Sequence, residues 1–341
     1  MSGTNINELS KKIKAAASII ARARSGRQTP DDEKILNSFS YNTDSPPYWS
    51  KAADRYLKDL KKQQESKVGF LLDNGMLFDF QNSNSAAPND LLRGKLFAPI
   101  AKGRRKALTR QEVGKSADGQ VTFSYTGTQL DQADLDTLLT LFRVLSDASK
   151  TGNVTKIVSE DGRHEYSRVF FTRYGFLKEM KRVRNKQTYN WLEDSFLRLT
   201  GRLTLDVDGK GKLSGPILGK QGQSENEDLS FVDINQDFMT LFKENQFAFI
   251  DMDARLSLKK PFEKWLHGFA LSHSGKSFLT AEQLMEMSGS STNRVRDFMR
   301  QTATPAFEKL EEMGVIKIIK INGQLYKWKR SKNAKAKRKN K

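Results

Sequence analysis

Four side chains towards the C-terminal end have the types and spacing to read base edges in a DNA groove. Asn293, Arg294, Arg296 and Arg300 stand in the run GSSTNRVRDFMRQ, residues 289–301. Asn pairs bidentately with adenine and Arg with guanine, so a helix carrying both can discriminate base pairs in the major groove. At 3.6 residues per turn, Val295, Phe298, Met299 and Thr302 share one face. Asn293, Arg296, Asp297 and Arg300 share the opposite one. The apolar face is expected to pack on Leu284 and Met287, which leaves the polar face outward. Thr292 is placed to cap this helix, and Pro305 is expected to kink or interrupt it. The proline would then separate a DNA-facing half from an anchoring half carrying Phe307, Leu310 and Met313. The competing reading is a basic helix face that merely meets water.

The flanking elements fit a positioning role. A short helical pattern, LTAEQLMEM, and a small polar turn precede the helix, and the hairpin pattern IKIIKINGQLYKWK (316–329) follows it. Asn322-Gly323 suits a two-residue type I′ turn. Helix, turn, helix and hairpin in this order read as a winged helix-turn-helix. Ser290, Ser291 and Thr292 in the turn are candidates for phosphate contacts. So are Lys317, Lys320, Lys327, Lys329 and Arg330 in the wing, where contacts position the protein and carry little sequence information. The tail 331–341 adds salt-dependent grip or serves solubility alone.

Charge is concentrated at this end. Residues 280–341 hold 15 lysines and arginines against 6 acidic residues, half of the net charge of +18. That excess favours a polyanionic partner, because neutralising phosphates releases counterions. The chain contains no cysteine, which excludes disulfides, thiolate metal sites and cysteine nucleophiles. No stretch has the apolar length of a signal core or a membrane span, so a cytoplasmic protein without membrane contact is expected. At 341 residues the chain is too long for one ordinary core.

The rest of the chain reads as α+β, mainly helical. Residues 1–88 are expected to form a flexible, partly disordered N-terminal region with helices at about 5–24 and 50–66. Ile6, Leu9, Ile13, Ala16 and Ile20 make a narrow seam on the first of these. It suits a partner-docking helix and a partly folded arm equally, and membrane-surface binding less well. Residues 25–50 and the run QNSNSAAPND read as linkers.

Residues 89–219 read as a first winged-helix domain. VTFSYTG alternates as a strand, and Leu130, Leu135, Leu138, Leu139, Phe142 and Leu145 form a helical face. KIVSEDGRHEYSRVFF reads as two strands around Glu160-Asp161-Gly162. Helices at about 172–182 and 187–200 and a hairpin turning at 209–211 complete the block. Arg182, Arg184 and Lys186 in its turn are candidates for backbone contacts. Its second helix carries Tyr189, Trp191, Glu193 and Asp194, which suit a groove poorly, so protein–protein contact such as dimerisation is the other expectation. Residues 220–330 read as the second, sequence-reading domain. A strand near 229–234 opens it, and a helix starts at Pro261. FLKEM (176–180) and QLMEM (283–287), each followed by a second helix and a hairpin, suggest an internal duplication.

NDLLRGKLF (89–97), VTFSYTGTQL (121–130) and GSSTNRVRDFMRQ with its following FxxLxxxG ending resemble the TrfA-like plasmid replication initiators. The resemblance covers about 89–330, with the order preserved. It implies two winged-helix domains bound to repeated origin sequences (iterons), with Asn293, Arg294, Arg296 and Arg300 reading bases. It also implies melting of adjacent AT-rich DNA, recruitment of the host helicase DnaB, contact with the polymerase sliding clamp, and a monomer–dimer equilibrium. Residues 1–88 are the candidate helicase-recruiting arm. A clamp-binding peptide could be Gln236-Asp237-Phe238-Met239-Thr240-Leu241-Phe242, although a buried segment fits those residues better. The alternative function is a winged-helix transcriptional repressor.

Enzyme readings fare worse. The run from Ala270 to Ser277 matches a relaxed P-loop, but its glycine follows a helix instead of opening one. The histidines His164, His267 and His273 form no pair, and Asp251 with Asp253 lacks a third ligand, so no nicking centre is expected. No cofactor or metal is anticipated.

Overall fold

A computed structural model gives the structure of the protein. It describes residues 84–331 except 101–104, 117–118, 151–152, 208–210, 224–228, 240, 243–246, 274, 291, 293 and 323–324. The chain divides into Met1–Val68 and Gly69–Lys341, and the described residues belong to the second unit. The helices expected at 5–24 and 50–66 and the linker 25–50 lie outside them.

The architecture is mixed α/β, with strands throughout, so the expectation of a mainly helical protein is corrected. The elements in the first half are β1 (Asn84–Pro88), α1 (Asn89–Arg93), β2 (Phe97–Ala98), β3 (Ala107–Lys115), β4 (Val121–Thr128), β5 (Leu130–Asp131) and α2 (Gln132–Lys150). Next come β6 (Thr155–Val158), β7 (Glu165–Phe171), α3 (Arg173–Glu179), α4 (Lys186–Leu199), β8 (Arg202–Val207), β9 (Gly211–Pro216) and β10 (Leu218–Gln223). The remainder is β11 (Ser230–Asn235), α5 (Gln236–Met239), β12 (Phe247–Asp251), α6 (Met252–Ser257), α7 (Pro261–Leu271), β13 (Lys276–Thr280), α8 (Ala281–Ser288), α9 (Val295–Phe298), a π-helical turn (Met299–Ala303), α10 (Thr304–Glu312), β14 (Ile316–Asn322) and β15 (Leu325–Arg330).

Helix α2 is the axis of the core. Leu135, Leu138, Leu139, Phe142 and Leu145 are all buried, and Leu130 is buried just before it in β5. Val121, Phe123 and Tyr125 point inward from β4, as their alternation predicts. Strands β3-β4-β8-β9 make one antiparallel sheet, and β10-β11-β7-β6 make another. The β6–β7 turn closes where expected, with Gly162 at φ 68°.

Two assignments from the sequence change. The strand read as the opening of the second block, β11, pairs along its length with β7 of the first. The supposed linker QNSNSAAPND contains β1, which pairs with β12 from Asn84↔Asp251 to Pro88↔Phe247. Ala86 and Ala87 are fully buried there. Small residues give no hydrophobic alternation, so a tightly packed alanine strand looks like linker in sequence.

The described apolar residues of 236–242 are sunk in the core. Phe142 of α2 stacks on Phe238 with centroids 6.2 Å apart and meets Phe242 edge-on at 5.2 Å. Phe238, Met239, Leu241 and Phe242 are buried, which favours the buried-segment reading over a clamp-binding peptide. The P-loop resemblance also ends here: Lys276 and Ser277 open strand β13, paired to β15, instead of a helix.

Candidate nucleic-acid interface

Helix α8 is fixed at both ends by its own sequence. Thr280 and Gln283 form a capping box at its start. Gly289 at φ 67° ends it, with Gly289 N donating to Glu286 O and Ser290 N to Met285 O. This glycine-centred stop satisfies the last carbonyls of α8 and turns the chain sharply. In the turn, Thr292 N donates to Ser290 Oγ at 3.4 Å.

The second helix starts later than the sequence suggests. Arg294 is its N-cap, in extended backbone without a capping side chain, and the first helical residue is Val295. Thr292 therefore does not cap it: it lies two residues before the cap, with its N–H directed to Ser290 Oγ. Ser291 and Asn293 lie outside the described residues. The predicted faces hold for the rest. Phe298 is fully buried, Val295 and Met299 pack partly against the core, and Arg294, Arg296 and Arg300 are exposed.

Pro305 does not break the helix. The chain runs on from α9 into α10 through the π-turn, in which Thr304 N donates to Met299 O, five residues back. A proline lacks the N–H for an i→i−4 bond and its ring crowds the preceding turn; widening that turn is one way to accommodate it. The anchoring half behaves as expected. Phe307 stacks on Tyr326 at 4.8 Å and meets Trp328 edge-on at 5.1 Å.

The hairpin carries its lysines on one face. In the sheet β13-β15-β14, Lys317 lies opposite Lys329, and Lys320 opposite Lys327. All four are exposed, while Tyr326 and Trp328 between them face the core. Like charges directly opposite each other cost roughly 0.2–1 kcal/mol per pair. Two such pairs make this face unfavourable until an anion covers it. Phe278, 68% exposed, sits opposite Lys327 on the same face. Ile319 is the extra residue of a bulge between Ile318 and Lys320, which keeps Lys320 in phase with Lys317. Asn322 pairs with Leu325, so it ends a strand, and the connection is 323–324 instead of Asn322-Gly323. Arg330 leaves the lysine face: it is half-buried, and its Nη1 donates to Leu271 O at 3.3 Å.

The first block repeats the order of helix, turn, helix and hairpin with different chemistry. Thr172 caps α3 and Asn185 caps α4. Arg184 and Lys186 are exposed, with the Arg184 guanidinium 4.2 Å from the Tyr174 ring centroid. Arg182 turns inward, 3.5 Å over Trp191, and burial lowers its pKa. Tyr189 and Trp191 pack against the core instead of projecting outward.

Behind α4 lies a charge cluster that the sequence did not reveal. Asp134, fully buried, accepts from Arg198 Nη2 at 2.8 Å, Arg105 Nη1 at 3.0 Å and Ser195 Oγ at 2.7 Å. Burial, then the neighbouring Asp134, raises the pKa of Asp131. Arg105, Ser195 and Arg198 are 29, 61 and 64 residues from Asp134, too distant for any local pattern to betray them.

The geometry defines a mixed α/β protein that presents exposed arginines on a short helix and four exposed lysines on a hairpin. Comparison at the family level matches residues 49–330 to the TrfA protein family. The chain belongs to this family of plasmid replication initiators, and origin DNA is the partner that membership implies. Comparison with the curated proteins found no match. Two solved structures of domains 2 and 3 of RctB are similar to it. One shows 11% identity over 71% of this chain and 96% of that one, with a TM-score of 0.44. The other shows 10% identity over 71% and 98%, with a TM-score of 0.45.

Proposed function

We propose that this initiator binds direct repeats (iterons) at a plasmid origin through two winged-helix blocks. Arg294, Arg296 and Arg300, with Asn293 beside them, read bases. Lys317, Lys320, Lys327 and Lys329 hold phosphates, as do Ser290, Ser291 and Thr292 of the turn. Arg184 and Lys186 supply backbone contacts from the first block. The blocks divide near 219, and β11 is exchanged across that boundary. Binding leads to melting of adjacent AT-rich DNA and to loading of the host helicase DnaB. A contact with the polymerase sliding clamp and a monomer–dimer equilibrium belong to the same reading, as does a cytoplasmic location. No helix among the described residues is long and apolar enough to cross a membrane. The protein acts by binding, without catalysis of its own.

The observation that carries this reading is the exposed arginine face set against the buried Phe298, together with the exposed lysine rows of the hairpin. Mobility shifts on duplexes with and without the origin repeats test it. The expected result is a preference for repeats that Arg296→Ala and Arg300→Ala reduce. Equal affinity for repeats and scrambled DNA would overturn it. Repression without origin melting would point instead to a transcriptional repressor.

A further inference from the structure

The two helix–turn–helix blocks meet around one buried guanidinium. Arg255 of α6 is fully buried, and Asp136 of α2 is 1% exposed. Arg255 Nε donates to Asp136 Oδ1 at 2.6 Å, Nη1 to Lys264 O at 2.9 Å, and Nη2 to Gln132 Oε1 at 2.8 Å and Gln132 O at 3.3 Å. Lys264 of α7 donates to the other oxygen of Asp136. Gln132 passes the contact on, donating to Phe97 O of β2. A second link runs nearby, from Lys181 of the first block's turn to Asp253 of α6 at 2.5 Å.

The β11–β7 ladder already ties the blocks along one line; apolar packing does little to fix their angle about it, because dispersion is weakly directional. A planar guanidinium is different: its donors form a fork of fixed geometry. Here the acceptors come from α2 on one side and α7 on the other, so a rotation of one block misaligns several bonds at once. Buried ion pairs add little net stability over an apolar replacement, and conformational specificity is one role proposed for them.

We infer that Arg255 is a positioning residue: with Asp136, Gln132 and Lys264 it sets the angle between the two blocks, and so the spacing of the DNA segments they engage together. The effect on the angle follows from the joint and does not depend on the proposed function. The DNA spacing rests on the proposed function, because successive segments of B-DNA rotate around its axis and two rigid readers fit at one separation.

The chain has no cysteine, so spin labels can be placed on the full-length protein at Asn190→Cys in α4 and Gln301→Cys in the π-turn, both exposed. The native chain is expected to give one narrow distance distribution. The apolar double variant Asp136→Leu with Arg255→Met, which leaves no buried charge of the pair alone, is expected to unfold cooperatively yet broaden that distribution at least about twofold. Arg255→Lys keeps the charge without the fork and is expected to broaden it too; it decides the matter if the double variant does not fold. A native width in a folded variant overturns the inference. Origin duplexes with one to three base pairs inserted between the segments protected by the two blocks supply the second readout. The native chain loses at least about tenfold in affinity on insertion, and the variants lose markedly less. Absence of repeat-specific binding by the native chain would sink the proposed function, while the distance distribution would still judge the joint.

Discussion

The Phe298 ring meets the Phe262 ring edge-on, with centroids 5.2 Å apart. Through this contact α9, only one turn long, is pinned to α7, and Arg296 and Arg300 are held on the opposite side. Phe298→Ala would remove a fully buried ring and leave a cavity at the joint. The expected loss of stability is about 3–5 kcal/mol. Urea unfolding measures it, and a change below 1 kcal/mol would show that the helix is anchored elsewhere.

Exposed arginines and lysines should affect DNA binding differently. Arg296→Ala and Arg300→Ala are each expected to cost about 1–3 kcal/mol of discrimination between repeat and non-repeat DNA. Lys317→Ala and Lys329→Ala should weaken binding to both alike and reduce the salt slope by about one unit each. Titrations at several salt concentrations separate the two. Relieving the cross-strand lysine repulsion should also leave the lysine variants no less stable than the native protein.

Gly201 follows α4 where the chain turns into β8, and the Tyr125 ring occupies the space a side chain would need. A Cβ there would stand 2.0 Å from the Tyr125 hydroxyl. That hydroxyl donates to Arg198 O at 2.9 Å and closes the end of the helix. Gly201→Ala should destabilise by about 1–3 kcal/mol, the usual cost of overpacking. Tyr125→Phe should cost about 1 kcal/mol, one hydrogen bond. Combining them should cost less than the sum, because the phenyl variant removes the nearest of the clashing atoms, although ring carbons 2.5 and 2.8 Å away remain. Simple additivity in thermal unfolding would rule out the contact.

His267 should make the fold sensitive to mild acid. Its pKa falls to about 3, through burial first and then the nearby cations Arg255, Lys264 and Arg330. Its Nδ1 has no hydrogen-bond partner among the described residues. The folded value lies below the unfolded one, so the unfolded chain takes up the proton first as pH falls. Stability is fully present above the unfolded value and declines from there towards pH 3, by about 1.4 kcal/mol per pH unit. His267→Gln should flatten the dependence between pH 6.5 and 5, a window above most carboxylate titrations. Denaturant midpoints across that window check it, and an unchanged slope would contradict the burial.

Local order was legible in the sequence because its causes are local. The 3.6-residue spacing of Val295, Phe298 and Met299 separated a buried face from the arginines without reference to any other segment. The alternation Val121, Phe123, Tyr125 did the same for β4. Motif spacing over 89–330 was enough to suggest the initiator family. Other features depended on partners far along the chain. Asn84–Pro88 became a strand only because β12 lay beside it, and Arg182 and Arg330 turned inward towards an aromatic ring and a carbonyl.

The sequence by itself therefore determined the arginine-bearing helix, the basic hairpin and the family, since periodicity and residue type act over a few residues. Only the tertiary structure decided how the blocks are joined. Asp136 and Arg255 are 119 residues apart, and a buried charge finds its counter-charge through the fold, with no local pattern to announce it.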